Sequence, residues 1–444
     1  LGYAIKWIFF VAIALGIGRA IILAGMALNS NRKRNRPVPP PIDPAQFVSV
    51  LIAAFNEEKV IADSVRRVLA SSDVAVEVIV VDDGSTDRTN AVVRESFADD
   101  PKVQLLTLAN GGKARALNQG MLQARGDIII ALDADTQFEE ATIARLARWF
   151  ADDEVGAVAG NAKVGNRINL VTRWQAVEYV TAQNLERRAL SRFDAIMVVP
   201  GAVGAWRRAA LESVGGYPTD TLAEDQDLTI AIQRRGWRVA FDVDAIAWTE
   251  APESFAALAK QRYRWAFGTL QCLWKHGSIV RERRPAGLAF VGIPQAWLFQ
   301  IGFALVSPMI DFALLMSIIG TAVRVQQHGW AQTNSDVLRL GLYWIAFTAI
   351  DVACGWVAYR LEPRETHYPA ALLVAQRFIY RQLMYFVVIR AVWSALRGPW
   401  VGWGKLERSG RVGRAGSNDE PGLPRAGSAG QGQGDTKPGV VVLE

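Results

Sequence analysis

The chain has 444 residues, enough for two or three domains, with two cysteines, three histidines and a net charge of +6. Two cysteines exclude a disulfide framework, three scattered histidines exclude zinc spacing, and a modest basic excess gathered beside apolar stretches favours membrane topology over nucleic-acid binding. Apolar residues make up 51% of the chain, so membrane spans mixed with a soluble unit are expected.

Residues 1–30 read as one transmembrane helix, apolar from 7 to 28 except for Arg19. A charge at mid-bilayer costs roughly 3 kcal/mol, which weighs against that reading. A signal peptide is the poorer alternative, because no small-residue cleavage site follows. A basic and Pro-rich linker, 31–46, carries Arg32, Lys33, Arg34 and Arg36 and by the positive-inside rule lies in the cytoplasm. Residues 47–252 then alternate short β-branched runs (48–54, 77–81, 103–108 and 127–132) with helical stretches such as 58–70 and 113–124. That order predicts an α/β domain with a mostly parallel sheet, whose ligands bind beyond the carboxyl ends of the strands. Residues 253–285 form an aromatic and basic interfacial amphipathic helix ending in the cluster Arg281–Arg284.

About four transmembrane helices are expected over 286–396. Residues 286–323 are long enough for two spans hinged near Pro308; 340–359, carrying Asp351, is a third and 370–396 a fourth. Arg377 and Arg381 share one face of the last span, where they either pair with Asp351 or line a polar channel. The tail, 397–444, is basic and then rich in Gly, Ser and Pro, which predicts a cytoplasmic and largely disordered segment.

Four motifs carry chemistry. Asp82-Asp83-Gly84-Ser85 ends a strand in two carboxylates that can accept hydrogen bonds from a base N–H or a ribose hydroxyl, although such a turn alone also serves as a capped loop. Asp133-Ala134-Asp135 projects two carboxylates from the next buried strand, suited to a divalent cation, Mg or Mn, beside a diphosphate. Glu224-Asp225-Gln226-Asp227 opens a helix, where the acids either complement the helix dipole or supply Asp225 as a general base. Within Gln261-Arg262-Tyr263-Arg264-Trp265, Arg264 can pair with diphosphate oxygens and Trp265 offers a flat face to a sugar ring. Lys113, at a helix start behind Gly111-Gly112, suits phosphate contact, though a surface lysine would look the same.

In this order the motifs resemble the processive family 2 glycosyltransferases, the synthases of cellulose, chitin, hyaluronan and poly-N-acetylglucosamine. The resemblance covers residues 47–275 and the flanking apolar helices. It implies a cytoplasmic nucleotide-sugar-binding domain of the GT-A type, flanked by transmembrane α-helices in the inner (plasma) membrane. It also implies that Asp82 and Asp83 contact the uridine, that Asp133 and Asp135 hold the diphosphate and its divalent cation, and that Asp225, beside Glu224, is the base of an inverting displacement. Gln261, Arg264 and Trp265 would hold the diphosphate and the acceptor, and Gly201, within Pro200-Gly201-Ala202-Val203-Gly204, the acceptor side. Ala223 stands where the family often has threonine, which removes a hydroxyl cap and leaves the base.

Three further stretches, Trp174–Tyr179, Phe378–Gln382 and Trp403–Arg408, are most similar to the poly-N-acetylglucosamine and chitin-oligosaccharide branch, which implies UDP-N-acetylglucosamine as donor. The partners implied are that UDP-sugar, a growing polysaccharide, the lipid bilayer and accessory membrane subunits, and no nucleic acid. A non-processive transferase acting on a lipid phosphate carrier would share the aspartates but has no evident need for the pentapeptide 261–265. A non-catalytic assembly subunit would be expected to have lost Asp133, Asp135 or Asp225.

Overall fold

The computed structural model describes residues 2–32, 39–41, 43 and 46–398. Most of the basic and Pro-rich linker, the Trp403–Arg408 stretch and nearly all of the tail lie outside the described residues.

Four expected strands are present: β1 (Phe47–Ala54), β2 (Ala75–Asp82), β3 (Val103–Thr107) and β4 (Ile128–Asp133). Each pairs in parallel with its neighbour in the order β3-β2-β1-β4. Alternation along the strands divides their side chains between two cores. Val50, Ile52, Val78, Val80 and Ile130 face the helix Ile61–Leu69, and Leu51, Ile79, Val81 and Ile129 face the helix Lys113–Gln123 through Ala116 and Leu117. Each such buried aliphatic side chain stabilises the fold by roughly 1.5–3 kcal/mol.

Beyond β4 the expectation of a mostly parallel sheet fails. β5 (Gln137–Phe138), β6 (Val155–Val164), β7 (Gly204–Arg207) and β8 (Arg238–Thr249) complete an eight-stranded mixed sheet in the order β3-β2-β1-β4-β7-β6-β8-β5. β7 runs antiparallel to both β4 and β6, β5 antiparallel to β8, and only β6 with β8 restores a parallel pair. These strands carry weak sequence signals for a physical reason. β6 is buried at every position and built from small residues, because its neighbours approach closely. A Cβ on Gly160 would stand 2.3 Å from Val203 Cγ2. Alanine and glycine fit such a site but have poor strand propensity.

The helices form the rest of the molecule. One helical run, Leu288–His328, is the single described helix long and apolar enough to cross a membrane, and the pair Ala370–Gln376 and Tyr380–Arg397, bent by 42°, would make a second if it acts as one span. Pro308 lies inside the helix Phe303–His328 and does not divide the run into two spans as expected. At about 1.5 Å per residue the run is about twice the hydrocarbon thickness of a bilayer. Its beginning is occupied otherwise: Leu288, Ala289, Ile293 and Ala296 are buried against Phe267, Leu270 and Leu273 of the helix Phe255–Lys275. The first helix, Gly2–Arg32, packs along the helix Trp330–Leu361. Arg377 pairs with Asp351 at 2.7 Å, with Arg381 3.9 Å from the same carboxylate.

Candidate active site

Strand β4, the loops that follow β1, β2 and β3, and the loop that precedes β7 open on a cavity of about 720 Å³ that reaches the helical bundle. Asp83, Lys113, Asp133, Asp135, Gly201, Glu224, Asp225, Gln261, Arg264 and Trp265 all line it. Of the site residues expected from sequence, Asp82 alone is absent from its wall. Asp82 is buried and turned into its own loop, where it accepts hydrogen bonds from the Ser85 N–H (2.9 Å) and the Asn90 side chain (2.9 Å). Asp82 is the last residue of β2 and Asp83 the first of the loop, and here the two carboxylates point to different partners.

Asp83 faces the cavity and accepts from the backbone N–H groups of Gly111 (2.9 Å) and Gly112 (2.7 Å). That brace fixes the entry to the helix Lys113–Gln123. Lys113 then points inward, its Nζ 2.6 Å from Asp133 Oδ1 and 3.2 Å from Glu224 Oε1. Burial opposes its charge, but the Asp133 and Glu224 carboxylates outweigh burial and raise its pKa above the ordinary lysine value. Gly201 has a steric reason to lack a side chain: a Cβ there would stand 2.7 Å from Lys113 Nζ. Its N–H donates to Asp225 Oδ2 at 3.2 Å, and the Gln226 N–H donates to Oδ1 at 2.8 Å.

Burial, and next to it the charge of Glu224, push the Asp225 carboxyl up to about 6, while Lys113 and the two N–H donors restrain the rise. A carboxylate in that range is ionised at neutral pH and basic enough to take a proton from a hydroxyl. Asp227, two residues further along, has a different task. It is buried and receives the Thr221 hydroxyl (2.9 Å) and Lys275 Nζ (2.8 Å), with His276 Nε2 at 2.7 Å, so it ties its helix to Phe255–Lys275. The acidic cluster thus divides into a structural acid and two acids facing the cavity.

Several wall residues lay outside the expected set. Arg19 pairs with Glu186 at 2.6 Å and has its Cζ 5.0 Å from the Phe299 ring centroid, so the charge that weakened the first span reaches the cavity instead. Glu186 also accepts from Gln295 at 3.0 Å. Arg187 is buried and donates to Asn184 Oδ1 at 3.2 Å. Only tertiary contacts mark these residues; an Arg in the middle of an apolar run was the one signal available in sequence. Arg377 and Arg381 are not in the wall. The last helix contributes Met384, Val387 and Val388.

Comparison with known proteins identifies this arrangement. Residues 44–268, just over half of the chain, match the family described as Glycosyltransferase like family 2. A poly-beta-1,6-N-acetyl-D-glucosamine synthase from Staphylococcus aureus (strain COL) is 31% identical over 228 residues, 51% of this chain and 55% of the relative. The synthase of the same name from Staphylococcus epidermidis is 30% identical over 223 residues, 50% of this chain and 54% of the relative. The chain thus spans about half the length of the curated relatives it matches. Among solved structures, a mannosyltransferase from Pyrobaculum calidifontis in complex with GDP-Man and Mn2+ superposes with a TM-score of 0.58 at 22% identity, covering 89% of this chain and 97% of that one, and so shares the GT-A-type α/β fold. The chain belongs to the family 2 glycosyltransferases and is an enzyme of sugar transfer.

Proposed function

We propose that the chain is a processive, inverting transferase that polymerises a β-linked polysaccharide from a UDP-sugar, with UDP-N-acetylglucosamine as donor, on the cytoplasmic face of the plasma membrane. The observation that carries this reading is the reach of one cavity. It holds Asp225 and extends from Asp83, beside the strand ends, past Trp265 to Met384, Val387 and Val388 on the last helix. A cavity open toward apolar helices suits a product that stays bound and moves outward between additions. The synthase name borne by the relatives favours N-acetylglucosamine as the sugar.

In this mechanism Asp83 orients the nucleotide, while Lys113, Arg264 and Gln261 receive the diphosphate. The acceptor hydroxyl, laid against Trp265, attacks the anomeric carbon as the bond to the diphosphate oxygen breaks. Its proton passes to Asp225, and the configuration at the anomeric carbon inverts. Gly201 leaves room beside the base for the acceptor. Asp133 and Asp135 are hard oxygen donors at the end of β4, and among the described residues no three His, Cys, Asp or Glu side chains form a ready-made cation cage. Two carboxylates with substrate phosphates and water fit Mg or Mn, which commonly bind in that way. Such a cation would neutralise charge on the diphosphate leaving group.

The test is to incubate purified membranes carrying the chain with UDP-N-acetylglucosamine or UDP-glucose and to characterise the product. A long β-linked N-acetylglucosamine polymer is expected. A single sugar on a lipid phosphate would overturn processivity, and a polymer made from UDP-glucose alone would overturn the donor assignment.

A further inference from the structure

Two of the stretches that set this sequence apart, Trp174–Tyr179 and Phe378–Gln382, meet in the structure at the pentapeptide 261–265. The Arg262 guanidinium is buried, and its Nη2 donates to Glu178 Oε2 at 2.6 Å. The Tyr380 hydroxyl donates to the same carboxylate oxygen. Arg262 Nη1 donates to Gln261 Oε1 at 3.2 Å. On its other side the guanidinium lies over the Trp265 indole, Cζ 4.0 Å from the ring centroid. A guanidinium held in plane by a carboxylate and stacked on an indole restricts the rotation of that ring. Trp265 is 37% exposed and lines the cavity, so the restricted ring is one a ligand can reach.

Tyr380 is itself fixed by its place in the chain. It is the first residue of the second limb of the bent pair, whose limbs meet at 42°. Its ring packs against Trp174, centroids 6.0 Å apart, and the Trp174 Nε1–H donates to the Leu372 carbonyl in the first limb at 3.1 Å. The Arg262 pair with Glu178 joins positions 84 residues apart, and the Tyr380 bond to Glu178 joins positions 202 apart.

We propose that Glu178, Arg262 and Tyr380 are positioning residues that hold the Trp265 ring as the acceptor platform, and that the bent helix pair controls this platform through the Tyr380 hydroxyl. If the bend changes, the hydroxyl leaves Glu178, the Glu178–Arg262 pair loosens and the indole is free to turn. The inference rests on the reading of Trp265 as the acceptor contact. It assigns Arg262, within the pentapeptide, to the fixing of its neighbour and not to the diphosphate.

The test uses the full chain in detergent, with UDP-N-acetylglucosamine as donor and a short β-linked N-acetylglucosamine oligomer as added acceptor. Tyr380→Phe keeps the ring packed on Trp174 and removes only the hydroxyl. It is expected to raise the acceptor KM roughly five- to tenfold, the scale of one lost hydrogen bond, with the donor KM within about twofold of wild type and shorter polymer. Glu178→Gln should act in the same direction, with its thermal transition confirming that it folds. In a Trp265→Ala background, Tyr380→Phe should add nothing, because the two act through one ring. An unchanged acceptor KM in Tyr380→Phe, an equal rise in donor KM, or a full further rise on top of Trp265→Ala would each overturn the proposal. A wild-type chain that adds one sugar and stops would refute processivity, and the KM comparison would still decide the positioning role.

Discussion

The two ends of the cavity are built by different means. At the strand end, most braces join successive strand–helix units: Asp83 is held by the N–H groups of Gly111 and Gly112, and Lys113 by Asp133 twenty positions away, with Glu224 as its one distant partner. At the helix end, the ion pairs and the contacts between helices span a large part of the chain: Arg19 with Glu186 across 167 positions and Tyr380 with Glu178 across 202. The first end is a property of strand-loop-helix units that form wherever the sheet forms. The second exists only when the helices dock. Chemistry at the strand end should therefore tolerate disturbance of the helices better than handling of the acceptor does.

The largest expected effect lies at the strand end. Asp225→Asn should lower turnover about a thousandfold or more, the scale of a lost general base, while UDP binding measured by calorimetry stays near wild type. The same substitution should raise the thermal transition at neutral pH. The folded-state pKa, about 6, lies above the ordinary carboxyl value of 3.8, so the folded protein holds the proton more tightly than the unfolded chain does. The contribution of Asp225 to stability is therefore present below pH 3.8 and lost as pH rises toward 6. Retained polymer synthesis in this variant would sink the base assignment.

Next in size is the joint between the two ends. Lys163 is buried in β6 with its Nζ 3.0 Å from Glu362 and 3.2 Å from Glu365, both in the segment that follows the helix Trp330–Leu361. Lys163→Met leaves two buried carboxylates with one cation fewer. It should cost about 3–5 kcal/mol, read as a lower unfolding midpoint in detergent. Arg167, which also reaches Glu365 at 2.5 Å, sets the residual stability. A change under 1 kcal/mol would mean that this clamp does not join sheet and helices.

Smaller effects sharpen the contrast. Glu186→Gln removes the partner of Arg19 at the helix end and should shorten the polymer with less than about a threefold change in donor KM, as expected of a partly exposed pair worth roughly 1 kcal/mol. An equal loss in donor KM would show that the two ends are not separable. The pH profile of wild-type turnover should fall with a one-proton slope below about 6, where Asp225 becomes protonated. A profile flat to pH 5 would place the titrating base elsewhere.

Much of the strand end was legible in the sequence because its signals are local. Four strands stood out as β-branched runs, and Asp83, Lys113, Asp133 and Asp225 sat at their ends or at helix starts, where short-range geometry aims them into one space. Asp82 is the one expected site residue that the structure turns away from the cavity, into its own loop, and its strand-end position alone did not distinguish it from Asp83. The acidic cluster 224–227 was legible as a group, and the resemblance already pointed to Asp225; the packing of Lys275 and His276 against Asp227 then showed that this third acid serves the fold.

By itself, the sequence determined the parallel half of the sheet, the order of the acidic motifs and the presence of a long apolar helical run after the sheet, all set by periodicity and propensity over a few residues. Tertiary structure alone decided the antiparallel half, because small residues such as Ala157, Ala159 and Gly160 are chosen for close packing and leave no pattern of their own. It decided that Pro308 is housed within a continuous helix, that Arg19 turns into the cavity toward Glu186, and that Arg262 holds Trp265. A buried charge is tolerated only where its partner is, and the partner's distance along the chain is unconstrained until the fold closes.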